Sequence, residues 1–184
     1  MYTLVCGKHA LVPTVVIALG SNLGDRIGNM RQAAELMEST IRFTRQARVY
    51  ETAPMYVTDQ PAFLNSALRG ETDLGPLGLL RELKRIEVEV GRTPKVRNGP
   101  REIDLDLIAY EDLAYHFHGQ GESILQLPHP RLGERRFVLQ PLSDLGVMRL
   151  PKLGALETLL EATESQAKSV VTTEYALLPV HRSG

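Results

Sequence analysis

Apolar and polar positions along the chain follow two periods. Residues 14–19, TVVIAL, form a short β-branched run bounded by Pro13 and Gly20, which predicts a buried strand. The chain then turns through Gly20-Ser21-Asn22-Leu23-Gly24, and Asp25 stands where a helix N-cap is expected. Ile27, Met30, Ala34 and Met37 recur at three- and four-residue steps, predicting a helix of about 14 residues with one apolar face. Residues 42–52 mix β-formers with polar side chains and predict a strand. Residues 52–61, with two prolines and Asp59, predict a loop, and 63–72 a further strand. Gly75-Pro76 opens a second helix, with proline where its missing N–H matters least. Leu79, Leu83, Ile86 and Val90 are its apolar stripe, and Gly91 suits its C-terminal end. Residues 91–101 read as a loop and 102–110 as a strand. Residues 113–127 read as a hairpin turning at Gly119-Gln120-Gly121, and 153–163 as a short helix.

The order of elements is β-α-β-β-α-β. It predicts an α+β fold: a ferredoxin-like antiparallel sheet with helices on one face, plus an extra hairpin and C-terminal additions. The expected division is a flexible N-terminal leader at 1–13, one folded domain at 14–165, and a C-terminal extension at 166–184.

Composition narrows the function classes. A chain of 184 residues with net charge -1 carries no general polycation signal for nucleic acid or an anionic membrane. Its one cysteine, Cys6, cannot form an internal disulfide, and no zinc-ligand spacing is present. This fits a reducing, cytoplasmic setting. The longest apolar stretch, 11–19, is broken by Pro13 and is far short of the about 20 residues that span a bilayer. The expectation is a cytoplasmic monomer with neither nucleic-acid nor membrane partners.

The sharpest chemical feature is Asp104-Leu105-Asp106. In a strand, alternate side chains share a face, so both carboxylates point one way while Ile103, Leu105 and Leu107 point into a core. Two adjacent carboxylates repel unless a cation lies between them. Magnesium suits such a pair, because it takes one or two carboxylates and completes its octahedron with phosphate oxygens and water. On its own the pair is equally compatible with a solvated strand face. Arg92, Lys95, Arg97 and Arg101 fall in the loop that runs into this strand, with no acidic residue among them. Arginine forks and metal ions together are what a polyphosphate needs during transfer. The glycines and prolines of this loop suggest a lid that closes over substrate. His129, held between Pro128 and Pro130, has a constrained backbone and could meet a phosphate or carry a proton. The turn at 20–24 lacks the Gly-Lys-Ser/Thr ending of a Walker A loop and does not fit G-x-G-x-x-G. No pattern of a covalent nucleophile is present.

The runs ALGSNLGD at 18–25, FLN at 63–65, GPREIDLDLI at 99–108 and LPHPRLGERRFVLQPL at 127–142 occur in one order over most of the chain. Together they resemble the 6-hydroxymethyl-7,8-dihydropterin pyrophosphokinase family of folate biosynthesis. The resemblance implies an ATP-dependent diphosphotransferase. Its substrates would be ATP and 6-hydroxymethyl-7,8-dihydropterin, its products AMP and the pterin pyrophosphate, and the domain at 14–165 would be the pyrophosphokinase. It further implies that Asp104 and Asp106 bind two Mg2+ ions, and that Arg92 and Arg101 are the catalytic phosphate contacts. Lys95, His129 and Arg135 would complete ATP binding. Phe63 and Phe137 would sandwich the pterin, with Asn65 and the backbone around Thr52 and Met55 at its edge. Glu87 lies where it could reach the site. The chain departs from some members at Asn98, where they have tryptophan, at Lys84, where they have glutamine, and at Ile124, where they have arginine. No side chain is assigned as a general base. A non-catalytic binding module, or another metal-dependent nucleotidyl or phosphoryl transferase, fits the residues without the resemblance.

Overall fold

The computed structural model describes residues 12–55, 57–93, 99–119 and 125–179. Most of the expected leader, Lys95, Arg97, Asn98, Ile124 and the turn of the expected hairpin lie outside the described residues.

The first strand, β1 (Thr14–Ser21), leads to α1 (Arg26–Met37). Asp25 caps α1 by accepting the Gly28 N–H at 3.0 Å, which satisfies a donor that the first helical turn leaves open. The expected strand at 42–52 is two strands, β2 (Arg42–Gln46) and β3 (Tyr50–Thr52). It breaks at Arg48: the Ala47 N–H still bonds Ala67 O at 2.9 Å, but the Arg48 N–H goes to the Asp144 carboxylate at 3.0 Å. Strand β4 (Phe63–Glu71) follows, then α2 (Pro76–Glu89) and β5 (Asp104–Tyr110). The expected hairpin has β6 (Tyr115–Phe117) paired with β7 (Leu125–Leu127).

The main sheet runs in the order Val170–Thr172 (the last strand, β10), β3, β4, β1, β5, with β2 also pairing β4, and all its pairs are antiparallel. Helices α1 and α2 cover one face. Met30, Ala34, Met37, Leu79, Leu83 and Ile86 pack there against Val15, Ile17, Leu19, Leu64, Leu68 and Leu105. The opposite face carries α3 (Arg136–Asp144), whose Val138, Leu139 and Leu142 pack over Val16, Ala18, Ala67 and Ile108. Helices on one face only was therefore an incomplete expectation. Pro141 inside α3 removes one donor of a short helix and hid it in the sequence. Beyond it, β8 (Arg149–Leu150) and β9 (Gly154–Ala155) form a small ribbon, and α4 (Leu156–Ala162) follows. The strand β10 (Val170–Thr172) adds to the sheet edge beside β3. No helix among the described residues is long and apolar enough to cross a membrane.

Helix α3 is locked to the sheet by one carboxylate. Asp144 accepts from Arg48 Nη2 at 2.7 Å and from the Tyr50 hydroxyl at 2.8 Å. Burial pushes Asp144 up, but these hydrogen bonds outweigh it and hold the group below its ordinary value. Burial first, then the hydrogen bond to Asp144, push the Tyr50 phenol from 10.0 up to about 12. A raised folded-state pKa stabilises below the unfolded value and loses that contribution as pH rises through the folded one. Thermal melts from pH 8 upward are therefore expected to show wild type more stable than Tyr50→Phe near neutrality. That advantage shrinks as pH rises from 10.0 to about 12. A constant gap across the window would remove Tyr50 as its source.

Candidate active site

Strand register places the site. Gly20 of β1 lies opposite Asn65 of β4 on one side and Asp104 of β5 on the other. Two residues back, Ala18 lies between Ala67 and Asp106 in the same way. Directly paired residues share a sheet face, so Asn65, Asp104 and Asp106 all project on the α3 side. With strands about 4.8 Å apart, Asn65 and Asp104 stand about 10 Å apart across the sheet. Glycine and alanine between them leave the floor open: a Cβ on Gly20 would sit 3.0 Å from Asn65 Oδ1. The resulting cleft is walled by Thr52, Met55, Gln60 and Phe63 at one end and by Arg101, Asp104 and Asp106 at the other. Arg135, Phe137 and Val138 close it from above.

At the first end, the Asn65 amide donates to Thr52 Oγ1 at 2.6 Å. Both residues are buried, so the Asn65 side chain is fixed with its carbonyl oxygen turned toward Gly20. Phe63 and Phe137 are only partly buried and line the cleft. Phe137 also packs against the core beneath α3, so one side of its ring is seated while the rest lines the cleft. The Arg135 guanidinium lies 5.9 Å from the centre of the Phe137 ring, within cation–π range.

At the other end, Asp104 and Asp106 are partly buried while Ile103, Leu105 and Leu107 are buried behind them, the alternation that the sequence predicted. Arg92 Nη1 donates to Asp104 Oδ1 at 2.8 Å, and Arg101 Nη1 to Asp104 Oδ2 at 2.9 Å. Arg92 reaches Asp104 because α2 stops in a defined way. Gly91 takes φ +109°, its N–H bonds Val88 O at 3.0 Å, and the Arg92 N–H bonds Glu87 O at 2.9 Å. These are the two bonds of a Schellman end, which turns the chain back on its last helical turn. Arg101 is held by Asn22: its N–H donates to Asn22 Oδ1 at 2.9 Å, and the Asn22 N–H donates to Arg101 O at 3.1 Å.

Burial, and then the charge of Asp104, push Asp106 above the ordinary carboxylate value. Burial pulls His129 below the ordinary imidazole value, and Asp106 offsets this only in part. His129 therefore favours the neutral ring, able to donate from one nitrogen. Its Nδ1 already accepts the Arg131 N–H at 3.2 Å, which leaves Nε2 as the donor.

Most of the expected site residues thus line one cleft: Thr52, Met55, Phe63, Asn65, Arg101, Asp104, Asp106, Arg135 and Phe137. Arg92 joins it through Asp104, and His129 lies within electrostatic reach of Asp106. Neither is part of the cleft wall. Lys95 lies outside the described residues. Asn22 and Gln60 were not singled out from the sequence. Asn22 is buried and donates to Gln60 Oε1 at 3.1 Å and to Pro61 O at 3.0 Å, tying Arg101 to the far wall. An asparagine closing a strand before a helix looks like an ordinary turn residue, so no local signal marked it.

Among the described residues, no group of three or more His, Cys, Asp or Glu side chains is placed to hold an ion. That excludes a dedicated all-protein cage there but suits magnesium, which needs only one or two carboxylates when phosphate oxygens supply the rest. Asp104 and Asp106 form such a pair, like charges forced together on a partly buried face. Each Asp104 oxygen keeps a second lone pair beside its arginine bond. The residues fit Mg2+.

Residues 16–147 match the family model described as 7,8-dihydro-6-hydroxymethylpterin-pyrophosphokinase (HPPK). The chain is 42% identical over 131 residues to 2-amino-4-hydroxy-6-hydroxymethyldihydropteridine pyrophosphokinase of Bacillus subtilis, covering 70% of this chain and 75% of that one. It is 55% identical over 132 residues to the mitochondrial folate synthesis bifunctional protein of Pisum sativum, which covers 71% of this chain. It spans only 25% of that relative's length. The crystal structure of wild-type Plasmodium falciparum HPPK-DHPS superimposes with a TM-score of 0.68 at 13% identity, over 85% of this chain and 46% of that one, a likeness of fold.

Proposed function

Because the chain belongs to the 7,8-dihydro-6-hydroxymethylpterin-pyrophosphokinase family, we propose that it transfers the β,γ-pyrophosphoryl unit of ATP to 6-hydroxymethyl-7,8-dihydropterin and releases AMP. One observation carries the reading. An aromatic and amide end and a carboxylate and arginine end share one sheet face, separated only by Gly20 and Ala18. A flat heterocycle held at Asn65 would direct a short hydroxymethyl arm across that floor toward phosphates held at Asp104 and Asp106.

Phe63 and Phe137 offer ring faces to stack on the pterin. Asn65, oriented by Thr52, reads its edge with the backbone near Thr52 and Met55. Arg92 and Arg101 sit ready at Asp104, and each keeps further N–H donors for phosphate oxygens. Arg135 and neutral His129 face the nucleotide phosphates, joined by Lys95 from the loop. Two Mg2+ ions, held by Asp104 and Asp106, would neutralise polyphosphate charge when bound. The hydroxymethyl oxygen forms a bond to the β-phosphorus. The bond from that phosphorus to the bridging oxygen breaks, and its electron pair leaves on AMP. The hydroxymethyl proton passes to a phosphate oxygen or water, since no side chain is assigned as base. Positioning and charge stabilisation supply the catalysis.

The proposal includes the ferredoxin-like reading of the sheet, the 14–165 domain, and a cytoplasmic monomer. Chromatography of the nucleotides after incubation with ATP, Mg2+ and the pterin tests the activity. AMP is expected. ADP would indicate ordinary γ-phosphoryl transfer, and unchanged ATP a non-catalytic binding module. Asn65→Ala is expected to raise the KM for the pterin about tenfold or more, the cost of losing a buried hydrogen-bond partner, with the KM for ATP unchanged. A shift in the ATP KM alone would remove Asn65 from the pterin end.

A further inference from the structure

Strand β5 is the last strand of the main sheet and pairs with β1. Its outer edge therefore leaves backbone groups that need other partners. At Leu105, the residue between Asp104 and Asp106, those partners come from α2. The Leu105 N–H donates to Glu87 Oε1 at 2.7 Å, and Lys84 Nζ donates to the Leu105 carbonyl at 2.9 Å. Lys84 and Glu87 also pair with each other at 2.6 Å, one helical turn apart. An ion pair on one face of α2 thus holds both backbone polar groups of Leu105, the residue that spaces the two aspartates.

Glu87 does more. It is 3% exposed, and a carboxylate so buried needs partners for its charge. Its second oxygen, Oε2, takes Arg92 Nη1 at 2.5 Å, and the same Nη1 reaches Asp104 Oδ1 at 2.8 Å. Arg92 is thereby held between a buried carboxylate and one of the expected metal ligands. Lys84 is also among the cations acting on Asp106. Glu87, Asp104 and Asp106 stand among Lys84, Arg92 and Arg101, with Arg135 also acting on Asp106.

We infer that Glu87 is a positioning residue: it holds Arg92 at Asp104 and fixes the Asp104–Asp106 spacing through Leu105, with Lys84 as its countercharge. This rests on the proposed use of Asp104 and Asp106 as cation ligands. Removing the Glu87 charge loosens Arg92 and leaves the cluster with an excess positive charge beside the carboxylates. Removing the Lys84 charge does the reverse.

The test uses Mn2+ as the probe, read by electron paramagnetic resonance on the protein with a non-hydrolysable ATP analogue and no pterin, so that phosphate oxygens are supplied and no turnover occurs. Glu87→Gln is expected to weaken Mn2+ binding about tenfold, as an uncompensated charge a few ångströms away does at partial burial. Lys84→Gln, on a side chain 37% exposed, is expected to fold normally and to bind Mn2+ more tightly. The double variant is expected to return close to wild type. In turnover, Glu87→Gln should lower kcat and raise the KM for MgATP while the KM for the pterin stays put, a selective KM shift that a mere loss of folded enzyme would not produce. The inference is overturned if wild type binds no Mn2+, if Glu87→Gln binds as wild type does, or if Lys84→Gln shifts binding in the same direction as Glu87→Gln. Should wild type bind Mn2+ but form no AMP, the proposed reaction fails while the positioning role stands.

Discussion

Asp106→Asn is expected to lower kcat at least about a thousandfold while leaving the melting temperature within a few degrees of wild type. Asparagine has nearly the same shape, and Asp106 lies opposite Ala18 on a face packed by backbone pairing as well as side chains. The fold does not depend on its charge. Burial and Asp104 already disfavour the Asp106 anion, so neutralising it relieves repulsion and is neutral or slightly favourable for folding. The chemistry, by contrast, needs that anion, because an amide is a poor ligand for a hard divalent cation. Steady-state kinetics at saturating Mg2+, paired with a thermal melt, separates the two effects. Near-normal turnover would sink the metal assignment.

Arg101→Ala is expected to lower kcat by about 10²–10³, the scale of losing one preorganised charge donor at the reacting group. Arg101 is fixed at both levels: its backbone is tied to Asn22 and its guanidinium to Asp104 at 2.9 Å. Removing the side chain leaves the Asn22 bonds intact, so the fold and the KM for the pterin should hardly move. Arg101→Lys should recover little, since a point charge does not reproduce the planar fork. Full recovery by lysine would reduce the role of Arg101 to charge alone.

The parts of this molecule that were legible in the sequence are those where one period decides the structure. Asp104-Leu105-Asp106 alternates because β5 buries one face, and its carboxylates share the cleft. Asp25 and the stripe Ile27, Met30, Ala34 and Met37 marked α1; the last three are buried, and Ile27 in the first turn is partly buried against the same core. What stayed hidden depends on partners distant in the chain. The break between β2 and β3 follows from Asp144, about a hundred residues later. The pairing of Asn22 with Gln60 joins two loops that no local pattern connects. Glu87 stood beside an apolar stripe, and only the meeting of α2 with the β5 edge shows that it binds Leu105 and Arg92. Phe63 and Phe137 could equally have been core residues by type. Both are partly exposed and line the cleft, and Phe137 packs against the core as well.

The central claim is attack at the β-phosphorus. ATP labelled with 32P at that position, incubated with the protein, Mg2+ and 6-hydroxymethyl-7,8-dihydropterin, tests it most directly. The proposed reaction predicts that the label leaves the nucleotide and appears on the pterin, in step with unlabelled AMP. Label retained in ADP would mean γ-phosphoryl transfer, and label released as free pyrophosphate would mean nucleotidyl transfer. Either result would contradict the account built on Asp104, Asp106, Arg92 and Arg101.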